Sequence, residues 1–106
     1  MKLSVIIKAL NEERNIARAI ESSLSAIAQV GSGEVILADS VSSDATVEIA
    51  SQYPIKIVQL ANPKERCCGI GAQLGFEVAQ GEYVYILDGD MEFVDGFLEK
   101  ALAHLD

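Results

Sequence analysis

Residues 83–90 read Tyr83-Val84-Tyr85-Ile86-Leu87-Asp88-Gly89-Asp90, the pattern of a buried strand that ends on two carboxylates. Five apolar or aromatic residues in a row, with β-branched and ring side chains, favour a strand that is covered on both faces. Asp88 and Gly89 then interrupt the strand, so both acids are expected in the loop at its carboxyl end. In open α/β sheets, ligands bind at this end of the strands.

The two carboxylates of this stretch suit a hard divalent cation. Asp88 and Asp90 lie two residues apart, and Gly89 between them allows a tight backbone turn. Mg²⁺ and Mn²⁺ take one or two protein carboxylates and fill their other positions with water and substrate phosphates. The same tripeptide is also common turn chemistry without any ligand. On these residues alone, both interpretations stay open.

Length and charge limit the classes of function. A chain of 106 residues has room for one domain, so we expect residues 1–106 to form a single domain. Sixteen acidic against eight basic residues give a net charge of −8, which argues against nucleic-acid binding. A bound phosphate would therefore need a metal ion or backbone N–H groups. The sequence shows no transmembrane segment and no signal-peptide layout, so we expect a cytoplasmic protein.

Three more strands are predicted upstream, over residues 3–7, 34–38 and 55–58. Helices are expected after Asn11 and after Asp44, each capped by that residue, and again over 65–79 and from about Asp95. Glu12 and Glu13 would occupy the first turn of the first helix, where the helix dipole favours acids. The sequence of elements predicts an α/β fold.

The alternation of strands and helices predicts a three-layer, doubly wound and mainly parallel sheet of about four strands, with helices on both faces. Right-handed crossovers and one reversal of direction give the strand order 3-2-1-4. Residues 8–12, 39–43 and 88–90 would then line one crevice. The glycines of the helix over 65–79 predict a close backbone approach, with the sheet as the simplest partner; they are Gly69, Gly71 and Gly75. Their spacing is not the dinucleotide-binding fingerprint.

In their order and spacing, these segments resemble the nucleotide-sugar-binding half of a family 2 glycosyltransferase with the GT-A fold. Residues 4–13 (SVIIKALNEE) are similar to the family's S-V-I-I-P-x-Y-N-E-E, and residues 38–46 (ADSVSSDAT) to its V-D-[DS]-G-S-x-D-x-T. Residues 81–90 (GEYVYILDGD) match G-E-Y-x-x-x-L-D-x-D, and residues 96–98 (GFL) fit the helix that follows. The resemblance covers almost the whole chain.

The resemblance implies a metal-dependent transferase that moves a sugar from a nucleotide-diphosphate sugar, of UDP or GDP type, to an unidentified acceptor. Asp39 would contact the nucleobase or ribose, and Asp88 would face the sugar or ribose and share the metal site. Asp90 would ligate the Mn²⁺ or Mg²⁺ ion that bridges the two phosphates, neutralises their charge and polarises the leaving group. The residues that would border the nucleotide are Lys8, Ala9 and Glu12.

Three positions depart from the family pattern. Lys8 replaces a Pro; its ammonium could pair with Glu12 or touch phosphate, and we expect it to point to solvent. Leu10 replaces a Tyr, which removes a ring that could pack on the base. Val41 replaces a Gly, a residue that allows positive φ, so the loop after the second strand is expected to differ in shape.

Members of this family usually continue with an acceptor-binding half that supplies the catalytic base. We therefore expect this chain to be a donor-binding half without a base of its own, and whether it acts alone as an enzyme stays open. The sheet edge and apolar surface left uncovered predict a homo-oligomer. One alternative is a non-catalytic remnant that only binds a nucleotide or its sugar. A sugar nucleotidyltransferase is less favoured, because residues 8–13 lack the Gly-rich loop typical of that class.

Overall fold

A computed structural model describes residues 2–60, 75 and 77–92 of the chain. The element order is β1 (Leu3–Ala9), α1 (Ile16–Val30), β2 (Gly33–Asp39), α2 (Thr46–Ala50), β3 (Lys56–Gln59) and β4 (Tyr83–Asp88). The helix predicted from Asp95 and most of the one predicted over 65–79 lie outside the described residues. In the described part of the chain, no helix has the length and apolar character to cross a membrane.

The four strands form one parallel sheet in the order β3-β2-β1-β4, which confirms the predicted strand order. β1 is the central strand, pairing with β2 on one side and with β4 on the other. Its apolar run is fully buried because the strand has neighbours on both edges and side chains packed on both faces; Val5, Ile6 and Ile7 have no exposed surface. Burial of such a run is the main stabilising contribution to the fold.

The strands that carry the predicted site are longer at their carboxyl ends than the sequence suggested. β1 ends at Ala9, β2 at Asp39 and β4 at Asp88. Asp39 and Asp88 are thus the last residues of strands and not the first residues of loops. The reason is that their backbone still pairs with the central strand, Asp39 with Ala9 and Asp88 with Lys8, whatever the polarity of the side chain.

α1 and α2 cover one face of the sheet. The buried side of α1 packs with Val5, Ile7 and Leu37 in the larger hydrophobic core. The helix ends at Gly31, which has a left-handed φ of 97° and whose N–H donates to the carbonyl of Ile27 at 2.9 Å. A glycine in this conformation is the usual end of a helix.

The predicted start of the first helix at Asn11 is wrong, since α1 begins at Ile16. Asn11 has a left-handed φ of 54°, which cannot begin a right-handed helix. The backbone N–H groups of Glu12 and Glu13 donate instead to the side chains of Thr46, the first residue of α2, and of Asp44 in the loop before it. Contacts between distant parts of the chain therefore override the local capping signal.

The second face of the sheet is covered by residues just before β4. Val78 and Ala79 pack against Ile6 and Ile36, and a Cβ on Gly75 would clash with the Ile6 side chain. The close approach predicted for Gly75 is confirmed, while Gly69 and Gly71 lie outside the described residues. The expectation that β4 is buried on both faces is wrong at Ile86, which is 40% exposed. Among the described residues, β4 pairs with a strand on one side only, which leaves its other edge less covered than that of the central strand.

Candidate functional site

Three segments meet at the carboxyl edge of the sheet, as the strand order predicts. Ala9 pairs with Asp39 and Lys8 pairs with Asp88, so the ends of β2 and β4 flank the end of β1. Beyond the strands, the N–H of Ser40 donates to the carbonyl of Ala9 at 2.9 Å, and the N–H of Gly89 donates to that of Lys8 at 2.8 Å. These bonds fix all three segments relative to β1. That they enclose a crevice stays a prediction.

The two predicted metal ligands lie on a tight turn after β4. The N–H of Met91 donates to the carbonyl of Asp88 at 2.9 Å, which closes a four-residue turn with Gly89 and Asp90 at its centre. Gly89 does not have a left-handed φ. The tight turn expected at Gly89 is therefore present, but it does not need a left-handed φ at this glycine.

Close packing explains the glycine at position 89. A Cβ there would lie 3.1 Å from the Cβ of Ala9, 3.1 Å from the Cγ of Glu12 and 3.2 Å from the carbonyl oxygen of Lys8. The turn thus presses against the end of β1 and the residues that follow it. This contact places Glu12 beside the Asp88–Asp90 turn, where the sequence expected it to border a nucleotide.

Lys8 does not point to solvent as expected, and it does not pair with Glu12. Its Nζ lies 3.8 Å from Oδ1 of Asp88, and its side chain is only 25% exposed, against 61% for that of Asp88. The register explains the pairing, because residues that pair in adjacent parallel strands project to the same face of the sheet. The sequence could not reveal this partner without the strand register.

Asp39 is fully buried, and three hydrogen bonds reach its carboxylate. Oδ1 accepts a bond of 2.5 Å from the hydroxyl of Ser42, and Oδ2 accepts the N–H of Ser42 at 2.9 Å. Nε2 of Gln59, at the end of β3, donates to Oδ2 at 3.1 Å. Because Asp39 is fully buried, a nucleotide group that contacts its carboxylate must either bond to it alongside these three donors or displace one of them. The predicted contact of Asp39 with the base or ribose stays a prediction.

The loops after β1 and β2 are tied together through Asn11. The N–H of Asn11 donates to Oγ of Ser42 at 2.9 Å, and its Oδ1 accepts the N–H of Ser43 at 2.8 Å and that of Asp44 at 3.3 Å. Ser42 Oγ therefore connects Asn11 to the buried carboxylate of Asp39. Asn is suited to this position because it tolerates left-handed φ better than other residues with a side chain.

A second set of bonds continues the connection toward α2. The N–H of Glu12 donates to Oγ1 of Thr46 at 2.9 Å, and the N–H of Glu13 to Oδ2 of Asp44 at 3.1 Å. Asp44 also accepts the N–H and the hydroxyl of Thr46, but the N-cap of α2 is Ala45 and not Asp44 as predicted, because the helix begins one residue later than expected. Partial burial would raise the pKa of Asp44, but the bonds from Thr46 and from the N–H of Glu13 lower it below its ordinary value. The carboxylate thus stays charged near neutral pH.

The residues present fit a divalent cation that is shared with phosphate. Asp90 is exposed and makes no hydrogen bond or ion pair with the residues that the structure describes. Across 2–60, 75 and 77–92, no group of three or more His, Cys, Asp or Glu residues is arranged to hold a metal ion. Two carboxylates match Mg²⁺ or Mn²⁺, which complete their shells with water and phosphate, and do not match an all-protein cage.

Gln59 and Thr46 are residues of this edge that the sequence did not indicate, and Ser42 was predicted only as part of the segment 39–43. One signal was available for Ser42, because an Asp followed three residues later by Ser is common where a side chain closes a turn. Gln59 ends the strand next to β2 and pairs there with Asp39, a placement that the predicted strand order implied. Thr46 gave no local signal of its contact with Glu12.

A pocket of about 440 Å³ lies at the opposite edge of the sheet, at the amino ends of β2 and β3. Glu34 and Lys56 are among its lining residues, and their side chains pair at 2.7 Å. Because it lies a strand length away from Asp39 and Asp88, we do not assign it to the site.

Comparison with known proteins gives consistent matches. Residues 4–106 match the profile of the family described as Glycosyl transferase family 2. EpsE of Bacillus subtilis (strain 168), which is named as a glycosyltransferase, is 36% identical over 111 residues, covering 99% of this chain and 38% of EpsE.

Solved structures also match this chain. S. aureus TarS, residues 1–349, superposes with a TM-score of 0.85 and 28% identity, covering all of this chain and 32% of that one; TarS is also solved with UDP and with UDP-GlcNAc. Glucosyl-3-phosphoglycerate synthase (GpgS) from Mycobacterium tuberculosis is solved with Mn²⁺, UDP and glucosyl-3-phosphoglycerate. It superposes with a TM-score of 0.65 and 25% identity, covering 86% of this chain and 35% of GpgS. The chain spans about a third of the length of these proteins.

Proposed function

We propose that this chain, which belongs to glycosyltransferase family 2 and has its GT-A fold, binds the nucleotide-diphosphate part of an activated sugar at the carboxyl edge of its sheet. In this role it is the donor-binding domain, formed by residues 1–106, for transfer of the sugar to an acceptor. The observation that carries the proposal is the register, which sets Lys8 beside Asp88 and Ala9 beside Asp39 at the point where the connections reverse direction. Ligands of doubly wound sheets bind at such points.

Each segment at this edge has a proposed contact. Asp39 contacts the nucleobase or ribose, with Gln59 the donor most easily replaced, because its bond is the longest of the three and its residue is exposed. Ala9 and Glu12 border the nucleotide from the side of β1. Asp88 faces the sugar or ribose and contributes to the metal site with Asp90.

The proposed cofactor is Mn²⁺ or Mg²⁺, held by Asp90 and Asp88 together with the diphosphate. When bound, such an ion neutralises phosphate charge and stabilises the departing diphosphate. The acidic character of the chain supports a requirement of this kind, because a net charge of −8 repels a diphosphate. GpgS, one of the similar structures, contains Mn²⁺ together with UDP.

UDP is the first nucleotide to test, ahead of GDP, because TarS and GpgS are both solved with UDP. No residue of this chain is proposed as the catalytic base. A base must reach the acceptor hydroxyl, and the residues placed at this edge are all used for the donor. The proposal therefore concerns donor binding, and the sugar and the acceptor are left to experiment.

The test is calorimetric titration of the chain with UDP, GDP and their sugars, with and without Mn²⁺. We expect one nucleotide to bind in a Mn²⁺-dependent manner, and Asp90→Ala to weaken this binding at least tenfold, the loss of about one charge-assisted contact. Glu92→Ala is the matched control, since it removes an exposed acid two residues away and is expected to leave binding unchanged. A folded wild-type chain that binds none of these nucleotides would refute the proposal.

A further inference from the structure

We propose that the ammonium group of Lys8 is a built-in cation of the donor site, which couples divalent-metal binding to nucleotide binding. In the free protein it holds Asp88 and competes with a metal ion for that carboxylate. When a nucleotide diphosphate binds, Lys8 transfers to a phosphate oxygen and leaves Asp88 to the metal. This inference rests on the proposed function and adds a role for a residue that departs from the family pattern.

The geometry of Lys8 is that of a cation poised for another partner. Its Nζ lies 3.8 Å from Oδ1 of Asp88, which is close enough for attraction but too far for a hydrogen bond. The ammonium donates no hydrogen bond to any residue of the described ranges. Within the described residues its three donors therefore have no acceptor at hydrogen-bond distance, and the side chain, only 25% exposed, is held at the edge by its covered stem.

The charges around Lys8 explain why it would exchange partners. Asp88 and Asp90 follow β4, and the Cγ of Glu12 lies near Gly89 of the same turn. An ion pair as exposed as Lys8–Asp88 is weak, so little is lost when it opens. A diphosphate carries more negative charge than one carboxylate and accepts strong hydrogen bonds from an ammonium group. Lys8 is thus held in place by Asp88 but favours phosphate.

This arrangement has two consequences that can be measured separately. Without nucleotide, Lys8 weakens the binding of a divalent cation, because both compete for Asp88. With nucleotide, Lys8 offsets part of the phosphate charge, so some affinity for UDP persists when the metal is removed. Metal and nucleotide then favour each other's binding, as linkage between two ligands requires.

The experiment compares Lys8→Met with Lys2→Met as the matched control. Lys2 lies just before β1, at the opposite edge of the sheet; its side chain is 27% exposed, and its Nζ lies 3.9 Å from Glu82 and 5.0 Å from the centre of the Tyr83 ring. Both variants remove one positive charge from the same region of sequence. Lys8→Arg keeps the charge and should behave as the wild type does.

Two titrations follow for each variant: Mn²⁺ without nucleotide, by electron paramagnetic resonance, and UDP in the presence of EDTA, by calorimetry. We expect Lys8→Met to bind free Mn²⁺ severalfold more tightly than the wild type and to bind UDP in EDTA roughly tenfold more weakly. With Mn²⁺ bound, its loss of UDP affinity should be larger than in EDTA, because the coupling that Lys8 supplies between metal and nucleotide is also lost. Lys2→Met should match the wild type in both titrations.

The outcomes separate this inference from the proposed function. If the wild type binds UDP with Mn²⁺ but Lys8→Met changes neither titration, the role of Lys8 is refuted and donor binding stands. Equal changes in Lys8→Met and Lys2→Met refute it as well, since the effect would then be one of net charge. If the folded wild type binds no nucleotide at all, with or without Mn²⁺, both proposals fall.

Discussion

Val41 shows how a single residue can be held in a conformation that its side chain disfavours. Its φ is 60°, in the left-handed region, where a β-branched residue is strained by roughly 1–3 kcal/mol. The resemblance placed a Gly here, and the replacement predicted a loop of different shape. The positive φ is nevertheless present with Val, because the next residue, Ser42, is fixed by its bonds to Asp39 and Asn11.

Replacing Val41 tests this strain directly. At ordinary helix or strand positions Ala is more stable than Gly, because Gly loses more backbone entropy on folding. At position 41 we expect the reverse order, with Val41→Gly more stable than Val41→Ala by about 1 kcal/mol, since only Gly adopts left-handed φ without cost. Urea unfolding of the two variants and the wild type measures the difference. An Ala variant as stable as the Gly variant would show that the backbone of the loop relaxes.

The loops after β1 and β2 act as one unit, and the start of α1 depends on it. Asn11 and Ser42 join them, and the backbone N–H groups of Glu12 and Glu13 donate to Thr46, at the start of α2, and to Asp44, and not within a helical turn. The helix begins only at Ile16, after a turn in which the N–H of Ile16 donates to the carbonyl of Glu12 at 2.8 Å. This pairing of loops also fixes the carboxylate of Asp39.

The hydroxyl of Ser42 is the link that we expect to matter most in this unit. Ser42→Ala leaves Oδ1 of the buried Asp39 without its bond of 2.5 Å and the N–H of Asn11 without an acceptor. We predict a loss of about 1–3 kcal/mol in the free energy of unfolding. Ser43→Ala is the control, because that residue is exposed and its hydroxyl makes one contact of 3.4 Å. Equal stability of the two variants in urea would contradict the prediction.

A network around Glu34 stabilises the amino edge of the sheet, opposite the edge where we propose that the donor binds. At the amino edge, Glu34 accepts a hydrogen bond from Ser4 at 2.6 Å and another from the N–H of Gln80 at 2.6 Å, and its second oxygen lies 2.7 Å from Nζ of Lys56. The pairing joins β1, β2, β3 and the segment before β4. Such a network holds the ends of the strands without involving the carboxyl edge.

The network predicts a dependence of stability on pH. Burial would raise the pKa of Glu34, but the bonds from Lys56, Ser4 and Gln80 outweigh it and lower the pKa below the ordinary value of 4.5. A lowered pKa in the folded state stabilises the protein above the unfolded-state pKa, and this contribution is lost as the pH falls through the folded-state value. We therefore expect Glu34→Gln to be less stable than the wild type at pH 7, with a smaller loss of stability below pH about 4.5.

Unfolding by urea from pH 7 to pH 3 measures this difference. Glu48→Gln serves as the control, since it removes an exposed acid from α2, remote from the network. Parallel pH profiles for Glu34→Gln and the wild type would contradict the prediction.

The surface of the molecule also supports the expected self-association. Leu10 is 41% exposed, Ile86 40% and Met91 53%, all toward the carboxyl edge of the sheet. We propose that such apolar surface is covered in a homo-oligomer at micromolar concentration or above. Light scattering over a hundredfold range of concentration tests this, and Ile86→Glu should shift the equilibrium toward monomer. A monomer at every concentration would contradict the proposal.

The sequence by itself determined the α/β class, the strand order and the edge where Asp39, Asp88 and Asp90 lie. These features follow from local patterns, because a buried parallel strand requires a continuous apolar run and an acid or glycine ends it. Only the tertiary structure decided the partner of Lys8, the contact of the buried Asp39 with Gln59, and the start of α1. Each of these depends on residues about 20 to 80 positions apart, whose meeting is fixed by strand register and loop packing and not by any local preference.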